Sequence, residues 1–129
     1  MSWGSKGKIY VSSENTKKIY DRLVKDYPQY FPSLSVLFQI SAAVGMFLEK
    51  KKELNKNVEL VNEYSIDKDG TFALILEMMY PDLAPEQRLE ELEKFAEAGI
   101  EYILKEIETN GSFIIDKFVY KYSKEDSYD

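Results

Sequence analysis

The stretch from Phe31 to Leu48, FPSLSVLFQISAAVGMFL, carries no charged side chain and is the longest apolar run in the chain. A chain of 129 residues can keep such a run from water only by wrapping its other elements around it, so one domain spanning 1–129 is expected. Ser35, Gln39, Ser41 and Gly45 interrupt the run, and it falls short of the roughly 18–20 apolar residues that a bilayer requires. No membrane association is expected from it. Between Leu34 and Leu48 the apolar residues point in nearly every direction around a helix axis, as in a buried helix. Ser41 and Gly45, one turn apart, leave a groove where a second helix can come close.

Elements with clear start and stop signals flank this run. Lys8–Ser12 alternates, with Ile9 and Val11 on one face and Lys8, Tyr10 and Ser12 on the other, and predicts a short strand over 8–12. Ser12 or Ser13 then caps a helix reaching about Asp26, which Pro28 ends. Ser33 or Ser35 caps the central helix over 34–48. Asn55–Asn57 reads as a turn, and 58–61 as a second short strand. Asp67 or Asp69 prepares a helix over Thr71–Tyr80, apolar except for Glu77. Leu89, Leu92, Ala96, Gly99, Ile103 and Ile107 recur at steps of three and four, which makes Pro85–Glu108 an amphipathic helix stopped by Asn110-Gly111. Ser112–Tyr122 is expected as a last helix, with FVYKY leaving a strand open. Residues 1–7 and 123–129 are expected to be flexible. The fold class that results is mainly α, a compact bundle of about five helices around the buried helix 34–48.

The residue inventory excludes much chemistry. The chain has neither cysteine nor histidine, so thiolate metal sites, disulfides, thiol nucleophiles and imidazole bases are absent. No phosphate-binding glycine loop and no nucleophile elbow occurs. Asp67-Lys68-Asp69-Gly70 has the look of half a calcium loop, but the bidentate acid that such a loop needs falls at Leu76. Glu90, Glu91, Glu93, Glu97 and Glu101 are expected on the solvated face of the long helix rather than around a metal. The expectation is a protein without cofactor or metal, not an enzyme. The N-terminal sequence MSWGSKGK has no apolar signal region, which points to a cytoplasmic location.

Charge is divided along the chain. Residues 1–60 hold ten Lys or Arg against six Asp or Glu, whereas 61–129 hold seven against seventeen. If duplex DNA is bound, the basic first half must bind it, because neutralising phosphates dominates such affinity. The residues that would serve are Lys6, Lys8, Tyr10, Ser12, Lys17, Lys18, Arg22 and Lys50, Lys51 and Lys52.

Two resemblances bear on this. The order of short strand, basic helix and second helix resembles ribbon-helix-helix DNA-binding proteins, in which two chains pair their strands and read bases from the major groove. That resemblance implies that Lys8, Tyr10 and Ser12 face bases. Phe38-Gln-Ile-Ser-Ala-Ala-Val-Gly45 followed by Lys50–Lys52, with Phe95-Ala-Glu-Ala-Gly-Ile-Glu-Tyr-Ile-Leu104, is similar to segments of small proteins associated with Dnd (DNA phosphorothioation) systems. Lys94-Phe95 stands where those proteins have an acidic–tyrosine pair. The resemblance implies a non-enzymatic accessory or DNA-associated regulator of a prokaryotic or mobile-element modification or defence system. The alternative reading is a protein-interaction module acting as a homodimer, burying a surplus of ten Tyr and seven Phe.

Overall fold

The computed structural model describes Trp3 and residues 7–126, with the side chains of 124–126 excepted. Strand β1 (Lys8–Val11) is followed by α1 (Glu14–Asp26) and α2 (Leu34–Leu48), then β2 (Val58–Asn62), a 3-10 turn over Glu63–Ser65, and helices α3 (Thr71–Met79), α4 (Pro85–Asn110) and α5 (Ile115–Asp126). The mainly helical class, the five helices and the two short strands are those expected from the sequence. FVYKY is helical, and α5 runs on into the stretch expected to be flexible.

Local chemistry sets the boundaries. Ser13 caps α1, its Oγ accepting the Thr16 N–H at 3.1 Å, and Ser33 caps α2, accepting the Val36 N–H at the same distance. Asp67 caps α3 with both carboxylate oxygens, accepting the N–H groups of Phe72 at 2.8 Å and Ala73 at 3.0 Å. Its carboxylate is thereby committed to the helix start, which fits the capping reading of the 67–70 stretch. Gln87 Oε1 accepts the Ala84 N–H at the start of α4, and Gly111 ends that helix in the left-handed region.

Helices α2 and α4 form the axis of the bundle and run antiparallel, for Ser41 lies against Gly99 and Gly45 against Phe95. A Cβ on Gly45 would stand 2.0 Å from Phe95 O, and one on Gly99 would stand 1.8 Å from Ser41 O. The two backbones touch where each lacks a side chain, so the groove expected at Ser41 and Gly45 is filled by a helix. Leu37, Phe38, Ala42 and Val44 of α2 and Leu92, Ala96, Ile100 and Ile103 of α4 close the core. Along one direction α2 is not covered, and Ala43 and Phe47 reach the surface.

The aromatic residues are largely spent inside the chain. Phe31, Phe113, Phe118 and Tyr122 follow one another at ring separations of 6.0, 5.5 and 4.6 Å, and Tyr102 of α4 meets Tyr122 edge-on. This series ties α5 to the α1–α2 corner. Trp3 is buried, 1% exposed, although it falls in the stretch expected to be flexible.

Candidate interaction surface

Strands β1 and β2 pair antiparallel, with Lys8 opposite Asn62, Ile9 opposite Val61 and, after a bulge, Tyr10 opposite Glu59. One edge of β1 is thus used. The other edge faces α4. Tyr10 N–H donates to Glu93 Oε2 at 2.7 Å, and Ser12 N–H donates to Glu97 Oε1 at 3.1 Å. The match is metric: residues four apart on a helix rise about 6 Å, and residues two apart on a strand about 6.7 Å. A pair of glutamates at i and i+4 can therefore meet alternate N–H groups of a strand edge.

This arrangement overturns the expectation that Glu93 and Glu97 lie on a solvated face. They are 3% and 5% exposed. Their burial relieves backbone donors that would otherwise be stranded beneath the strand. Glu97 Oε2 also accepts from Thr16 Oγ1 at 3.0 Å, bringing α1 into the same knot. Burial raises the carboxyl pKa of Glu97, against the lowering effect of Ser12 N–H, Thr16 and Lys52. Nearby, the Tyr20 hydroxyl is buried without completing a hydrogen bond to Ser41, whose own proton goes to Leu37 O at 2.8 Å. Burial pushes that phenol above its ordinary range.

The residues picked out for DNA do not form one face. Lys6 lies outside the described residues. Ser12 is buried; its Oγ accepts the Asn55 N–H at 2.8 Å and its carbonyl the Lys56 N–H at 3.0 Å, so its side chain serves the fold. Besides pairing with β2, β1 meets α4 through the Tyr10 and Ser12 N–H groups. Lys8, Lys18 and Arg22 are exposed, Lys17 and Tyr10 half-buried. On α1 the cations are interleaved with Glu14, Asp21 and Asp26.

Lys51 and Lys52 sit beside the acidic helix instead, while Lys50 is exposed and donates its backbone N–H to Gly45 O of α2 at 2.9 Å. Lys52 N–H donates to Lys94 O at 3.0 Å, and the Lys52 ammonium pairs with Glu101. Lys51 Nζ lies 2.7 Å from Glu91, which also takes Lys94 at 3.0 Å. Partial burial works against the Glu91 charge, but hydrogen bonds from Lys51 and Lys94 outweigh it and hold the carboxyl below the usual range. Glu91 in turn raises Lys51 and Lys94. The bridge between basic and acidic halves is made inside the molecule.

What the sequence did not single out is the outward side of α3. This helix is apolar except for Thr71 and Glu77, yet only one side is covered: Leu76 is buried and Phe72, Ala73 and, just past its end, Tyr80 are half-buried. The opposite side carries Leu74, Ile75 and Met78, exposed by 59, 37 and 74%. With Thr71 these residues follow the i, i+3, i+4, i+7 spacing of a helix face made for contact. Glu77 is the single charge in the helix and lies at the margin of the strip. The spacing was readable in TFALILEMM; what was missing was a reason to think the covered side would be only half the helix.

Among the described residues, no group of three or more acidic side chains is placed to hold a metal ion, and no helix is long and apolar enough to cross a membrane. Comparison with protein-family models, curated proteins and solved structures finds no match to this chain.

Proposed function

We propose that this protein is a non-catalytic protein-interaction module whose contact surface is the outward face of α3. The observation that carries the reading is the strip Leu74, Ile75 and Met78, exposed on a helix whose one charge, Glu77, lies at the margin of the strip. A large contiguous apolar surface is costly to leave exposed and marks a contact site. Methionine suits such a surface because its flexible, polarisable side chain adapts to the partner. Duplex DNA binding through Lys8, Lys17, Lys18 and Arg22, as an accessory of a DNA modification or defence system, has less support, since the cations on α1 are mixed with acids and Lys51 and Lys52 are already paired.

Peroxide footprinting separates the two. Exposed methionine oxidises readily to the sulfoxide, and a protein contact shields it. Met78 is expected to oxidise several-fold more slowly inside expressing cells than in dilute purified protein. In parallel, the purified protein is titrated with a short duplex, wild type against the Lys17→Glu/Lys18→Glu variant. Unprotected Met78 in cells, together with salt-dependent duplex binding that the variant loses, would replace the interaction reading with the DNA one.

A further inference from the structure

We infer that Asn110-Gly111 is a self-modifying site, at which Asn110 loses its side-chain amide at a pace set by the docking of α5. An asparagine followed by glycine closes on itself readily, because no side chain on the second residue hinders the approach. The Gly111 backbone nitrogen gives up its proton and bonds to Asn110 Cγ, while the Cγ–Nδ2 bond breaks and ammonia leaves. Water then opens the resulting succinimide ring at one of its two carbonyls. The product is aspartate or, with the main chain rerouted through Cγ, isoaspartate. One water enters and one ammonia departs, so no oxidant, reductant or second enzyme is required.

The fold exposes the site and at the same time restrains it. Asn110 is the last residue of α4, where helices fray, and both it and Gly111 are open to water. Gly111 N–H is committed to Ile107 O at 2.7 Å. Asn110 Nδ2 donates to Glu106 Oε2 at 2.8 Å. Lys121 of α5 stands 3.7 Å from the other oxygen of the same carboxylate. Nucleophile and leaving group are thus both engaged, and the group that holds the leaving amide is itself held by α5. Closing the ring requires the backbone at Asn110 to leave helical geometry, so the reaction proceeds through local opening of the end of α4.

The product bears on the fold in turn. A carboxylate at 110 sets like charge against Glu106 where an amide had donated to it. It also adds a negative charge at the carboxyl end of α4, where the helix dipole is already negative. Isoaspartate lengthens the main chain by one carbon just ahead of Phe113, which is 3% exposed and packs against Phe118 of α5. Each change loosens the turn that carries Phe113 into the core, and α5 is released as the chain ages.

Mass spectrometry of the full chain aged in mildly alkaline buffer tests this, the small mass gain from amide to acid being assigned to Asn110 by peptide fragmentation. The native wild type is expected to convert at least about tenfold more slowly than the chain held in urea, which corresponds to ~1.4 kcal/mol of local opening. Glu106→Ala is expected to convert several-fold faster than wild type, and Lys121→Ala to lie between them, both with an unchanged circular-dichroism spectrum. Should Glu106→Ala fail to keep that spectrum, Lys121→Ala carries the comparison alone. Asn110→Asp, the product made directly, is expected to be cut by trypsin after Lys117 and Lys121 several-fold faster than wild type. No mass gain at Asn110 in the folded wild type and in these variants, once the urea-held chain has converted many times over, would overturn the site. A native rate equal to the unfolded one, or indifferent to both variants, would overturn its control by α5. Trypsin cleavage of Asn110→Asp no faster than that of wild type would overturn the release of α5.

Discussion

Gly45 and Gly99 set the distance between the two central helices, because at each of them the facing backbone occupies the space of a side chain. Gly99→Ala must push α2 away from α4 along their whole crossing, at a cost of about 3 kcal/mol or more. Gly111→Ala is the contrast. Its added Cβ would meet nothing within 4 Å, but its φ of +73° is unfavourable for alanine, for about 1 kcal/mol. Urea unfolding of the two variants should separate them clearly. Glu97 gives a second contrast, this time in pH. Its raised pKa means that the folded protein holds this proton more tightly than the unfolded chain does. Its contribution to stability is therefore fully present below the ordinary carboxylate pKa and is lost as pH rises through the folded value. Glu97→Gln is expected to remove that downward component from the stability–pH curve. At neutral pH it should change stability by no more than about 1 kcal/mol, the amide oxygen accepting from Ser12 and the amide nitrogen donating to Thr16. Glu91, held below the usual range by Lys51 and Lys94, has the opposite sign: its contribution is present above the unfolded pKa and is lost as pH falls through the folded one.

Helix α3 divides into a side that holds the fold and a side that does not. Leu76→Ala, at a fully buried position, is expected to cost about 3 kcal/mol. Met78→Lys, two residues on, should stay within about 0.5 kcal/mol of wild type while raising solubility, and thermal unfolding of both variants checks the pair. The elements themselves were legible in the sequence because each is bracketed by local chemistry: Ser13, Ser33 and Asp67 at helix starts, Gly111 at a stop, and the step of three and four along α4. Burial of the individual faces was not. Glu93 and Glu97 sit at positions that read as solvated on the helix, and only the strand laid across them turns them into acceptors for Tyr10 and Ser12. In the same way, nothing within α3 tells which of its apolar sides meets α4. The identity of a face depends on what crosses it, and that is fixed by residues some eighty positions away.

At the scale of the molecule, the sequence placed the central helix, the bundle and the small-residue crossing correctly, since these follow from one apolar run that cannot face water. The division into a basic and an acidic half was legible too, but its meaning was not, because Lys51 and Lys52 fold back onto Glu91 and Glu101 instead of joining α1. The aromatic surplus read as interface material is mostly internal, along Phe31, Phe113, Phe118 and Tyr122, and the exposed apolar strip of α3 is aliphatic. The chain has a single tryptophan, and Trp3 belongs to the same buried cluster as Leu37, Ile100 and Phe118. Unfolding followed by its fluorescence and by helical circular dichroism should therefore coincide, with one midpoint. An earlier fluorescence transition would show the N-terminal arm to come away before the bundle opens.

The clip between β1 and α4 bears on what length changes this chain can accept. Glu93 and Glu97 reach Tyr10 and Ser12, while Phe95 and Gly99, offset on the same helix, receive α2. Two partners thus read one seven-residue window of α4, 93–99, from different sides. Inserting or deleting a single residue there would turn each half of the helix by about 100° relative to the other, misaligning both partners at once. A conservative substitution such as Glu97→Gln affects one of these partners alone, whereas a shift in length affects both.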